Sequence, residues 1–317
     1  MPDDIAFGEI MPDTTLKHVP GMQYASPVPV LSADELPENV FIGEYVSNSR
    51  PCVIKGAVRH WAAIEKWRNK DYLKTRAGHH DVYFYPYEYH ISAKRMEAGR
   101  TTMSFAEAID RLHSEETKVA IVATAAPSEL LSDLGRVSFL SKAEPAFSYP
   151  PARYFFYRNA GTTWHYHPFD ETLMCQIVGA KKIGLLKTDT PFNKAVRDIF
   201  FREDYYNDAS AFEALNNVDL PWFSASLEEG DSLYIPPLWW HGIIPVGESF
   251  GATATVTWRS PLHVDANAIR KLASGDIHMI GGADPSYLQY LLDVARKTGL
   301  EQELKTGWAR QSSSVLG

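Results

Sequence analysis

Two short, distant stretches constrain this chain more than anything else in it. Thr162-Thr163-Trp164-His165-Tyr166-His167-Pro168-Phe169-Asp170-Glu171 carries two histidines two residues apart. Side chains alternate between the faces of a β-strand, so both imidazoles are expected on one side. Tyr234-Ile235-Pro236-Pro237-Leu238-Trp239-Trp240-His241 supplies a third histidine after a strand-like run and a proline-rich turn. Two imidazoles from one strand and one from a partner strand describe a metal held inside a β-barrel. Eleven histidines make a chance His-x-His pair common, and a pair with no ligand role is the plain alternative. Threonines and glycine before the pair, Asp170 and Glu171 after it, and the turn before His241 favour the metal. Neutral imidazoles with or without one carboxylate form the ligand set of a non-haem iron site with open positions.

Composition sets the bounds around that core. At 317 residues the chain suits one large domain with helical additions or two packed units, and 45% hydrophobic residues furnish a core. No apolar run of about 18 residues suggests a membrane span, and the start Met1-Pro2-Asp3-Asp4-Ile5 lacks a signal-peptide pattern. Cys52 and Cys175, both in apolar strand-like sequence, read as buried free thiols and place the protein in the cytoplasm. A net charge of −8 argues against a nucleic-acid partner.

Along the chain, residues 1–31 read as an N-terminal arm. Ser32 and Ser104 each stand three residues before a glutamate, the capping-box form, and Asn69 is a further helix cap. Strands are expected over Pro51–Ile54, Asp81–Tyr85, Lys118–Val122, Arg153–Tyr157 and Ala252–Trp258. Trp164–Leu186 reads as two strands about Gly179-Ala180, and Ala225–Ile235 as a hairpin turning at Glu228–Asp231. Residues 189–222 form an aromatic insertion of lid-like length, with Tyr205, Tyr206, Trp222 and Phe223 as groove-lining or self-packing candidates. Residues 263–317 are a helical segment broken at Gly281-Gly282. Its stripe Tyr287, Leu288, Leu291, Leu292 and Ala295 would either dimerise or pack on the barrel. Strands crowd the middle and helices the ends, so the fold class is mainly β. It is a double-stranded β-helix (jelly-roll or cupin) barrel over residues 32–262, dressed with helices.

Gly230-Asp-Ser-Leu-Tyr-Ile-Pro-Pro-Leu-Trp-Trp-His241 resembles a signature of the JmjC, or cupin-8, oxygenases. Thr162-x-x-His165, Gln176-x-x-Gly179-x-Lys181, Trp258 and Arg50–Trp61 are similar to other stretches of that family, and the likeness spans roughly residues 32 to 260. The resemblance implies Fe(II) as cofactor, 2-oxoglutarate as cosubstrate and O2 as reactant. It makes His165 and His241 metal ligands, with Lys181 and Thr162 on the 2-oxoglutarate carboxylate. A buried dicarboxylate needs a cation opposite it, which agrees with Lys181.

The sequence departs from the family where His167 replaces the aspartate of His-x-Asp. The interval from His165 to Gln176 is one residue longer than is usual in that family, which suggests a bulge near Pro168-Phe169 that turns Asp170 inward as a substitute carboxylate. Alternatively His165-x-His167-x-x-x-Glu171 follows an older cupin spacing of three histidines and a glutamate. The family's tyrosine on 2-oxoglutarate has no counterpart in Lys118–Val122. Three readings stand: a 2-oxoglutarate oxygenase hydroxylating a protein side chain or small metabolite, a three-histidine cupin enzyme without 2-oxoglutarate, and a non-catalytic binding module.

Overall fold

The computed structural model describes residues 16, 19–86, 101–114, 120–125, 127–146, 150, 152–200, 209–215, 218–247, 249–277 and 285–314. In chain order the strands are β1 (Ser26–Pro27), β2 (Val30–Ser32), β3 (Cys52–Lys55), β4 (Asp81–Pro86), β5 (Thr101–Ser104), β6 (Ala120–Ala125) and β7 (Ala152–Arg158). They continue as β8 (Thr162–His165), β9 (Glu171–Val178), β10 (Ala180–Lys187), β11 (Phe223–Leu227), β12 (Ser232–Ile235), β13 (Trp239–Val246) and β14 (Phe250–Trp258). The smaller sheet runs β1-β11-β10-β13-β8 and the larger β2-β3-β12-β9-β14-β7-β6-β4-β5. The two face each other as a jelly roll.

Strand alternation explains how one chain covers both faces of the larger sheet. On β9, Leu173, Cys175 and Ile177 point outward into a cluster with Phe41, Trp67, Phe105 and Phe156. Met174 points inward, where Ile183, Leu185, Leu233, Ile235 and Ile243 fill the space between the sheets. Helices at the N-terminal side cover the outward face. Asn69 caps Lys70–Ala77 by accepting from the Asp71 and Tyr72 N–H groups, and Ser104 caps Phe105–His113 by accepting from Glu107. The second helix buries Phe105, Ala108, Ile109 and Leu112 completely. Cys52 and Cys175 are both buried free thiols.

Three local expectations need correction. Ser32 precedes a single 3-10 turn, Ala33–Glu35, without a side-chain cap bond, and with Leu36 held extended before Pro37 the α-helix starts only at Glu38. Trp164–Leu186 holds three strands, since β8 ends at His165 and a loop precedes β9. The stretch Ala225–Ile235 is not a hairpin. β11 pairs with β10 in one sheet, whereas β12 pairs with β3 and β9 in the other. Gly230, at φ +86°, turns the chain across. The Asp231 carboxylate fixes the crossing by accepting from Gly56 N–H and Glu228 N–H and pairing with Lys55 at 2.7 Å.

A second core lies outside the smaller sheet. Trp164 stacks on Phe200 with centroids 4.9 Å apart, and Trp222, Phe212, Leu215, Leu220 and Trp240 complete the cluster. Trp222 therefore packs in this second core, which the insertion shares with Trp164 and Trp240 of the barrel strands. Phe223 sits half-buried against Trp239, and Tyr205 and Tyr206 lie outside the described residues. The helices Leu262–Ser274, Pro285–Thr298 and Glu301–Ser314 follow. Leu291 and Ala295 of the candidate dimer stripe are buried in this same core, so their surface is already covered within one chain. The side chains of Tyr287 and Leu288, the Gly281-Gly282 break, Lys118 and residues 1–15 lie outside the described residues. Among the described residues no helix is long and apolar enough to cross a membrane.

Trp164 can lie on the sheet only because Gly184 and Gly242 lack side chains. A Cβ at either would come within 2.6 or 2.8 Å of the indole. Gly184→Ala should therefore cost about 1–3 kcal/mol through overpacking, read as a lower urea midpoint with an unchanged m value.

Candidate metal centre

The β8–β13 pair builds the centre. His165 lies directly opposite His241, and the register then shifts so that Thr162 faces Ile243. Three residues of β8 thus oppose two of β13, which is a bulge at Thr163-Trp164. Its effect is to return Thr162 to the inward face that carries His165, His241 and Ile243, while Trp164 stays outside in the second core. The expected bulge near Pro168-Phe169 is replaced by this one. His167 is not on the strand but two residues past its end, where its carbonyl accepts from Leu238 N–H at 2.8 Å.

The three imidazoles nonetheless converge. Ring centroids lie 4.1 Å apart for His165–His241, 5.2 Å for His165–His167 and 5.1 Å for His167–His241. One donor atom from each lies within 4.8 Å of the other two. His165 Nδ1 lies 2.8 Å from the Thr163 carbonyl and His241 Nδ1 lies 2.9 Å from the Trp239 carbonyl. A carbonyl can only accept, so both Nδ1 atoms carry the proton and both Nε2 lone pairs are free to ligate. His167 Nδ1 is 3.3 Å from Thr172 Oγ1. Burial keeps all three rings neutral: His165 is lowered to about 4, and His167 and His241 are held well below the usual histidine range. Neutral nitrogens aimed at one point suit a divalent transition metal.

Lys181 lies deeper. It shares the inward face of β10 with Ile183 and Leu185, and Leu185 is opposite His241. Four residues of strand, about 13 Å, separate Lys181 from that level. Lys181 is 6% exposed, and its Nζ sits 4.2 Å from the centroid of the Tyr157 ring. Among the described residues no carboxylate pairs with it, and burial alone lowers the amine to about 7. Tyr157 accepts from Gln176 Nε2 at 2.9 Å, and Gln176 Oε1 in turn accepts from Thr253 at 3.0 Å.

With this geometry in place, residues 37–263 match the family model described as a cupin-like domain. The chain belongs to this cupin-like, JmjC-type family. It is 24% identical over 217 residues to lysine-specific demethylase JMJ30 of Arabidopsis thaliana, covering 63% of this chain and 48% of that protein. It is 23% identical over 253 residues to Jumonji C domain-containing protein 5 of Drosophila melanogaster, covering 71% and 59%. To tRNA wybutosine-synthesizing protein 5 of Homo sapiens it is 30% identical over 164 residues, covering 47% and 45%. The chain thus spans about half the length of the curated relatives it matches.

In this cupin-like domain the carboxylates expected near the metal point elsewhere. Glu171 is on β9 next to Thr172, and alternation sends it to the outward face, where Tyr234 Oη donates to it at 2.6 Å. Asp170, at φ +62°, is buried on the Glu171 side, where its charge acts on Glu171 and Asp265. The donor group therefore consists of His165, His167 and His241, with neither Asp170 nor Glu171 in it. Sequence reasoning missed two residues. Tyr157 belongs to β7, one strand from where a tyrosine was sought. Arg153, two pairs along the same inward face, has its charge felt by all three histidines. The alternation Arg153-x-Phe155-x-Tyr157 was the signal for both.

Desolvation raises the Glu171 carboxyl to about 8 from 4.5. A folded value above the unfolded one contributes stability that is complete below about pH 4.5 and is lost as pH rises toward 8. Glu171→Gln should make the slope of urea stability against pH more positive across this range by up to one proton's worth, with the opposing contributions of Asp265 and the three buried histidines unchanged.

Proposed function

We propose that this domain is an Fe(II)- and 2-oxoglutarate-dependent oxygenase that hydroxylates a small molecule or a peptide side chain. The observation that carries the reading is Lys181. An amine buried with no carboxylate partner among the described residues, on the interior side where three imidazoles converge, calls for an anion beside a metal. The resemblance of Gly230–His241 to the JmjC signature supports it, and the relatives' names, a lysine demethylase and a tRNA-modifying protein, fit oxidative tailoring of larger molecules.

His165, His167 and His241 would hold the iron through the free nitrogens. Lys181 would pair with the distal carboxylate of 2-oxoglutarate, with Thr162 on the same inward face. Iron and 2-oxoglutarate, when bound, supply O2 activation and the oxidising power for C–H hydroxylation. The chain's own part is placement and dryness. The Thr163 and Trp239 carbonyls fix two rings, and Ile183, Leu185 and Ile243 exclude water around them. Arg153 adds a second cation at the histidine end, suited to orient an anionic group there.

A second reading rests on the third ligand being His167 instead of a carboxylate. A three-nitrogen centre also serves cupin enzymes that use no 2-oxoglutarate. Anaerobic titration of the Fe(II)-loaded protein with 2-oxoglutarate separates the two. A weak visible charge-transfer band that saturates supports the proposal, and iron bound with no band supports the alternative.

Lys181→Ala should raise the 2-oxoglutarate Kd in that titration at least about 30-fold, the effect of truncating one side of a buried charge pair. The wild-type protein should also show a pH signature. Only protonated Lys181 can pair with the dianion, so affinity should be level below pH 7, where its amine titrates. Above that it should weaken by up to about tenfold per unit.

A further inference from the structure

A second group of metal-type donors lies on the helical layer outside the barrel. The helix Lys70–Ala77 ends at Gly78, and His79 and His80 make the corner into β4. Glu129 stands in the first turn of Ser128–Leu131 and faces that corner. His80 Nε2 is 2.9 Å from Glu129 Oε2 and His79 Nε2 is 3.7 Å from Glu129 Oε1. The two imidazoles lie side by side with centroids 4.1 Å apart. One donor from each of the three residues lies within 4.8 Å of the other two.

We propose that His79, His80 and Glu129 form a Zn2+ site that fastens this corner to the Ser128–Leu131 turn. Two imidazoles and one carboxylate, with a fourth position for water, are a recurrent tetrahedral zinc set. Bonds of about 2.0–2.1 Å at tetrahedral angles put donors roughly 3.3 Å apart. The 2.9 and 3.7 Å separations straddle that value, so closing on a metal needs only side-chain adjustment. Imidazole donors select a transition ion over Mg2+ or Ca2+.

The surroundings hold the donors in place. The His80 N–H donates to Ala77 O at 3.1 Å, and the His80 carbonyl accepts from Phe105 N–H at 2.8 Å. Ser128 Oγ donates to Glu129 Oε2 at 3.1 Å, and Arg76 Nε donates to the Glu129 carbonyl at 3.3 Å. The backbone N–H of Glu129, with His80 and Ser128, keeps its carboxyl below the usual range and therefore ionised. A few residues on, Asp133 receives bonds from Lys66, Trp67 and Tyr72, which ties the turn to the core. Hydrogen bonding of His80 to Glu129 accounts for one imidazole. His79 faces the other Glu129 oxygen at 3.7 Å, so both imidazoles converge on the one carboxylate.

Zinc titration by calorimetry on metal-stripped protein at pH 7.5 tests this apart from the barrel centre. The His165→Ala/His241→Ala variant, which lacks that centre, should still bind one Zn2+ per chain and melt at a higher temperature with it. Adding Glu129→Gln or His80→Ala should weaken that binding at least tenfold. No stoichiometric zinc in the folded double variant, or zinc indifferent to Glu129→Gln, would overturn the proposal. Should the double variant not fold, equilibrium dialysis of otherwise wild-type protein decides. Bound Co2+ should fall from two to one per chain in His79→Ala/Glu129→Gln, and an unchanged count would overturn the site.

Discussion

The centre depends on one pairing, β8 against β13, and on the irregularity within it. Placing His165 opposite His241 brings two imidazoles together, and two backbone carbonyls then decide which nitrogen each presents. The bulge lets Thr162 share their face while Trp164 faces out to anchor the strand among the aromatics of the second core. Gly184 and Gly242 keep the indole close to the sheet, so the packing outside and the ligand geometry inside are set by the same few residues. Neither could shift alone in an interior packed this tightly.

Much of this was legible because the chemistry is written in residue types. Three histidines, the caps at Asn69 and Ser104 and the crowding of strands in the middle gave the jelly roll and the cluster of imidazoles. What escaped was facing and partner choice. A one-residue irregularity inverts every side chain beyond it, and its position depends on the opposing strand. Hence the bulge falls at Thr163-Trp164, and Glu171 ends on Tyr234. Similarly, Glu228–Asp231 has hairpin composition. Only the pairing of β12 with β3 and β9, secured by Asp231 on Lys55 and Gly56, sends the chain to the other sheet. Tyr157 and Arg153 were visible as an alternating pattern, but nothing in it said which face would be the interior.

The replacement of the usual aspartate by His167 changes the charge of the cavity. Under the proposed function, three neutral imidazoles would leave a metal's two positive charges uncompensated, and Lys181, when protonated, would add a third. In a low-dielectric interior such an excess must be met by whatever enters. On that reading a 2-oxoglutarate dianion would meet most of it, and an acidic group on the substrate would meet the rest.

The depth of Lys181 has a kinetic meaning. The lysine, Tyr157 and Gln176 are buried at the end of the barrel where Gly230 N–H donates to Gln176 O and Gly179 N–H donates to Glu229. His165 and His167, largely buried but each with an edge to solvent, lie at the other end. Under the proposed function, a cosubstrate on Lys181 would lie on the inner side of the histidines, and a substrate over the histidines would lie across its way out. On that reading the two would bind in a compulsory sequence, and the first in would be the last out.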